Sequence, residues 1–196
     1  MSASYRKGML LLLAVFVVFL LFSCAEKPQE KAPEPTKTEI TTKDMDAITV
    51  VYLDKKGPYS ETEKAMEELF VLMGKKNLKM RNQPMGAYYD DPEKVPPEET
   101  KYEVLSQFIG EFKGDDELKV KEIPAQKVAM VLYTGPYEKC EPIYKELYSW
   151  IAKNNYEPCG PSMEKYLNDP RKIKPEELKT EILIPIKLKA EEKPEK

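Results

Sequence analysis

An α+β fold is predicted, made by tandem duplication of one strand-helix-strand-strand module, with antiparallel sheets and two helices around a central cleft. Three observations carry the prediction. The second half of the chain repeats the first at a constant offset of 78 residues, short stretches alternate apolar and polar side chains, and each half holds one apolar stripe at helical spacing. At that offset Gly57-Pro58-Tyr59 falls on Gly135-Pro136-Tyr137, Glu68-Leu69 on Glu146-Leu147, and Asn77 on Asn155. Further on, Asp91-Pro92 falls on Asp169-Pro170 and Pro97-Glu98-Glu99 on Pro175-Glu176-Glu177. From Gly57 to Leu105 there are 19 identities in 49 positions, where average residue usage gives roughly three by chance. The period is too long for a solenoid of short units. Two copies, residues 39–112 and 117–190, packed face to face are the economical reading, with matched residues lining a cleft from both sides.

Taken in order, residues 1–23 read as an export signal. Arg6 and Lys7 supply the positive start, and residues 9–22 form an unbroken apolar run. That run is shorter than the ~20 residues a membrane span needs and suits a signal peptide's apolar core. It ends in Leu21-Phe22-Ser23-Cys24, which resembles a bacterial lipobox; Cys24 would then carry the lipid, although Phe22 is bulkier than usual there. The alternative is an uncleaved N-terminal anchor. Either way the expected location is the bacterial cell envelope, lipid-anchored or held by that segment, facing periplasm or exterior. Residues 24–37 hold only polar, charged, Pro and Ala residues after Cys24 and read as a solvated tether; residues 191–196 have the same character. The domain itself is expected at 38–190.

Within the domain each copy reads as strand, strand, helix, strand, strand. In the first, 39–45 and 48–53 are expected strands and 60–75 a helix with Ala65, Met66, Leu69, Phe70, Leu72 and Met73 on one face. In the second, 118–123 and 127–133 are strands and 139–153 a helix with Ile143, Leu147, Trp150 and Ile151 buried. Pro142 falls in the first turn, where its missing N–H breaks no helical bond. In the closing strand, 180–188, alternation sends Ile182, Ile184 and Ile186 to the helices and Glu181 and Leu183 to the other face. Glu103 holds the equivalent place in the first copy. With the copies facing each other, Glu181 and Glu103 are expected on inward faces.

The formal charge is −3 and becomes −5 once Arg6 and Lys7 are set aside. This mild acidity argues against nucleic acid, which wants a basic face, as a direct ligand. No Lys/Arg run marks a membrane-surface patch. Cys140 and Cys159 flank the second helix, too far apart to pair, so both are expected to stay unbridged. The chain has no His, which disfavours nucleophilic hydrolases that need a His base, and it has no dense cluster of metal ligands.

The Gly-Pro-Tyr segments before amphipathic helices, the Tyr-x-x-Asp-Pro segments from Tyr88 (with one extra Asp) and Tyr166, Lys101-Tyr102-Glu103 and Thr180-Glu181-Ile182-Leu183-Ile184-Pro185-Ile186 together resemble the GyrI-like small-molecule-binding family, also found as the effector-binding domain of AraC- and MerR-type regulators. The resemblance covers residues 39–189. It implies an aromatic-lined cleft with a glutamate at its floor that supplies the counter-charge to lipophilic cations; by carry-over that residue is Glu181. The implied walls are Tyr59, Tyr137, Tyr88, Tyr166 and Trp150. The expected ligand is a small hydrophobic or cationic amphiphile, with no cofactor, no catalytic residue assigned, no nucleic acid and no protein partner. Two alternatives stay open: a GyrI-like hydrolase of strained electrophilic compounds, and an envelope protein whose cleft is vestigial. No DNA-binding domain accompanies the resemblance, and haem-binding relatives with an axial His are a poor match to a chain without one.

Overall fold

The computed structural model describes residues 34–190. The expected export signal, Cys24, most of the tether and the tail 191–196 lie outside the described residues. Strands β1 (Thr36–Lys37), β2 (Thr41–Met45) and β3 (Ile48–Lys56) come first, then helix α1 (Thr62–Lys75), β4 (Lys79–Met80), β5 (Met85–Tyr88) and β6 (Lys101–Ile109). The second series is β7 (Lys119–Ile123), β8 (Gln126–Thr134), α2 (Glu141–Lys153), β9 (Tyr156–Pro158), β10 (Ser162–Tyr166) and β11 (Lys179–Leu188). β2 and β3 coincide with β7 and β8, residue for residue, at the offset of 78, and so do the short 3-10 turns Tyr59–Glu61 and Tyr137–Lys139. Both helices end in the same way. Asn77 and Asn155 adopt φ of 56° and 60°, the left-handed cap conformation that asparagine tolerates better than most residues.

All strand pairs are antiparallel, in the order β1-β8-β11-β10-β5-β6-β3-β7, with β2 also on β8, β4 on β6 and β9 on β11. The expected arrangement of copies facing each other is corrected here. The two halves join through β5 and β10 in one continuous sheet, and each also lends a strand to the other, β2 to β8 and β7 to β3. The tether also ends sooner than expected, because Thr36 and Lys37 pair with Thr134 and Tyr133 of β8.

Strand alternation divides the core. Val51, Leu53, Val104 and the buried face of α1, including Leu69, form one cluster; Val131, Tyr133, Ile182, Ile184 and Ile186 form a second with Ile143, Leu147 and Ile151 of α2. Both clusters lie on one face of the sheet. On the other face Val50, Met85, Ala87, Leu105, Val128, Met163 and Leu183 make a third. Neighbours such as Val50 and Val51 thus belong to different clusters. Pro142 does sit in the first turn of α2. Cys140 is half-buried at that helix's start and Cys159 is exposed beyond β9; neither is bridged.

Candidate functional site

The central pair β5–β10 positions the site. Its register sets Met163 opposite Ala87, Glu164 opposite Gly86 and Lys165 opposite Met85. Since Met85, Ala87 and Met163 belong to the third cluster, the alternate residues Gly86, Tyr88, Glu164 and Tyr166 turn to the helix face. There α1 and α2 flank the pair, and between them lies a cavity of about 1510 Å³. From α1 it is lined by Thr62, Met66 and Phe70, and from α2 by Tyr144 and Tyr148, with Cys140 just before the helix.

Glu164 lies at the floor, 9% exposed. Tyr144 donates to its Oε1 at 2.7 Å, and the Tyr166 hydroxyl lies 3.1 Å from Oε2. The chain continues from Tyr166 to Tyr88 at 2.5 Å, from Tyr88 to Thr62 Oγ1 at 3.4 Å, and from Thr62 to the Tyr59 carbonyl at 2.7 Å. Tyr144 and Tyr166 both donate to the Glu164 carboxyl, whereas the Tyr88–Thr62 contact is longer than an ordinary hydroxyl hydrogen bond. Burial pushes the Glu164 carboxyl up from its ordinary value, against the opposing hydrogen bonds of Tyr144 and Tyr166. Burial, helped by the nearby Glu164, also pushes the Cys140 thiol and the Tyr137 hydroxyl up to about 12.

Gly86 makes this arrangement possible. A Cβ there would stand 2.8 Å from the Tyr88 hydroxyl and 2.9 Å from that of Tyr166. Edge-to-face ring pairs brace each side, Tyr59 on Tyr88 at 4.8 Å and Tyr137 on Tyr166 at 5.4 Å. Tyr59 is further tied to Asp90, donating to its carbonyl at 2.8 Å and accepting from its amide at 3.1 Å. Apart from Glu164, the cavity is lined by eight carboxylates against the four cations Arg81, Lys94, Lys145 and Arg171. That excess gives the cavity a negative field, which favours positively charged molecules.

Of the residues expected from sequence, Tyr59, Tyr88, Tyr137 and Tyr166 line this cavity together. Glu181, Glu103 and Trp150 do not. Glu181 shares its sheet face with Leu183 and the third cluster, away from the helices, and pairs with Lys165 at 3.8 Å. Glu103 is bound by Lys121, whose ammonium lies 4.5 Å from the Tyr52 ring centroid. Trp150 stacks on Tyr156 at 6.5 Å, packed against the α2 cluster. The cause is common to both glutamates: the cleft opens on the helix face, so their strand parity carries them to the wrong side. Sequence reasoning missed Glu164, Tyr144 and Tyr148. The signal for Glu164 was available, since it stands two residues before Tyr166 and must share its face.

No curated protein matches the chain in sequence. Among solved structures, the C-terminal domain of EcmrR is similar with a TM-score of 0.69 at 20% identity, over 78% of this chain and 98% of that one. In the EcmrR–DNA complex the chain spans 58% of the EcmrR chain. SAV2435 bound to tetraphenylphosphonium matches at TM-score 0.54 and 13% identity, over 76% of this chain and 94% of that one. A hydrolase from Listeria innocua matches at 0.57 and 15%, over 76% and 92%. These likenesses establish the fold. The model of the GyrI-like small molecule binding domain matches residues 38–187, and the chain therefore belongs to the GyrI-like family.

Proposed function

We propose that the protein captures amphipathic cationic small molecules in the cavity between α1 and α2, with Glu164 as the counter-charge and Tyr59, Tyr88, Tyr137 and Tyr166 as aromatic walls. The observation that carries this reading is a buried carboxyl among tyrosines at the floor of a cavity with net negative lining. An ionised carboxylate buried there is costly alone, and a delocalised cation between aromatic faces relieves the cost. The tetraphenylphosphonium held by SAV2435 is a cation of that kind. The shared offset of the elements supports a tandem duplication, which would make the cavity the meeting place of two copies of one module.

Calorimetric titration with tetraphenylphosphonium tests the reading. Glu164→Gln keeps the shape and removes the charge, and should weaken this cation by about 1–3 kcal/mol, the range for charge-assisted contacts. A neutral isostere such as tetraphenylmethane derivatives should bind both forms alike. Equal binding of the cation by both forms would remove Glu164 from the recognition. Hydrolysis of a strained electrophile is the second reading, favoured by a buried carboxyl held by two tyrosine hydroxyls at the cavity floor. In the same titrations it would appear as heat that continues after saturation with such a compound and stops in Glu164→Gln.

The export signal and Ser23-Cys24 support an envelope location with a lipid on Cys24. Cells fed a labelled fatty acid should tag the wild-type chain and leave Cys24→Ser untagged; equal tagging contradicts the anchor.

A further inference from the structure

The cavity's two walls differ in chemistry. At positions 78 residues apart, α1 offers Met66 and Phe70 where α2 offers Tyr144 and Tyr148. Beyond α1, Met80 of β4 also lines the cavity and is 50% exposed; its counterpart Pro158 does not line it. One wall thus carries hydroxyls and faces the carboxyl, and the other is a strip of thioether and phenyl groups. Phe70, Tyr88 and Tyr166 all pack against the α1 cluster, and Met66 stands about one helical turn beyond Thr62 on α1. The volume, about 1510 Å³, exceeds the ~1,000 Å³ upper end of ordinary ligand pockets. A compact cation at Glu164 leaves much of it open. Methionine is unbranched and polarizable and adapts to flexible apolar chains.

We propose that the cavity has a second subsite, the Met66–Phe70–Met80 wall, and that the ligand is a single-chain cationic amphiphile whose head sits at Glu164 and whose alkyl chain lies along that wall. This rests on the cation-binding reading above and adds a chain-binding one. The probes are alkyltrimethylammonium salts from tetramethyl to decyl, kept below micelle formation and titrated into the full-length chain. Affinity should rise with chain length by up to about fourfold per methylene, the increment for a methylene leaving water. Phe70→Ser/Met80→Ser should at least halve that increment while leaving tetramethylammonium affinity unchanged. Met80→Ser alone, at a half-exposed site, should lower it in the same sense. Tyr148→Ser, on the opposite wall, should leave the increment as it is. Cation binding that does not grow with chain length, or growth unaltered by Met80→Ser, overturns the second subsite while the cation site stands. Binding of decyl sulfate as tight as that of the decyl cation, or no binding of any cation, overturns both.

Discussion

The two halves of the domain have the same skeleton and different cavity chemistry. Leu69 and Leu147 stand 78 residues apart and are both fully buried, each at the centre of its own helix–sheet cluster. Thr62, Met66, Phe70 and Gly86 in one half correspond to Cys140, Tyr144, Tyr148 and Glu164 in the other. The packed leucine is kept and these four cavity positions differ, while the cavity tyrosines Tyr59/Tyr137 and Tyr88/Tyr166 are kept on both sides. Packing constrains volume at each core position separately. A cavity wall facing open space carries no such constraint, so the two walls are free to differ.

The strongest test of the shared skeleton is a pair of truncations. Leu69→Ala and Leu147→Ala should each cost about 2–5 kcal/mol in denaturant unfolding, the usual range for a buried leucine, with similar values in the two halves. A large inequality would show that one half carries the stability and break the comparison.

Next in size is Gly86→Ala. The added methyl meets both the Tyr88 and Tyr166 hydroxyls, and overpacking of this kind costs about 1–3 kcal/mol. The ring pair must move, so the hydroxyl chain to Glu164 should break as well. A stability equal to wild type would show that the tyrosines have room to retreat.

The smallest expected effect is a slope with pH. Because the folded-state carboxyl of Glu164 titrates above its ordinary value, the free native protein holds a proton that the unfolded chain releases. Its contribution to stability is fully present below about pH 4.5, the ordinary carboxyl value, and fades as pH climbs through the raised native one. Each unit of that rise is worth about 1.4 kcal/mol, or a few degrees of Tm for a chain of this size. Melting curves against pH should show this decline in the wild type and lose it in Glu164→Gln. Bound cation should cancel the decline, since it favours the ionised form.

Much of this was legible in the sequence. The repeat placed β3 on β8 and α1 on α2, and alternation in 180–188 correctly assigned Ile182, Ile184 and Ile186 to the helices and Leu183 to the other face. What alternation cannot say is which face meets the other half. Edge-to-edge pairing through β5 and β10 depends on main-chain hydrogen bonds, which every residue offers alike, so no side chain announces it. The family resemblance and the assumption of facing copies both point to Glu181, and the edge-to-edge pairing leaves it on the face away from the helices. The tyrosines were found because they flank the Gly-Pro-Tyr and Asp-Pro segments. Tyr144 and Tyr148 were missed because they stand beside the apolar stripe of α2, where they read as an exposed flank.

The pairing of Glu164 with Gly86 across β5 and β10 has a consequence for valence. Residues directly opposed in antiparallel strands have Cβ atoms about 4.5–5.5 Å apart. Two second halves joined through the same strands would bring two glutamates to opposed positions, where a like charge raises one carboxyl's pKa. Two first halves would offer none. Under the proposed cation reading, the unlike pair gives a floor with one carboxyl and one direction in which to lay a molecule down.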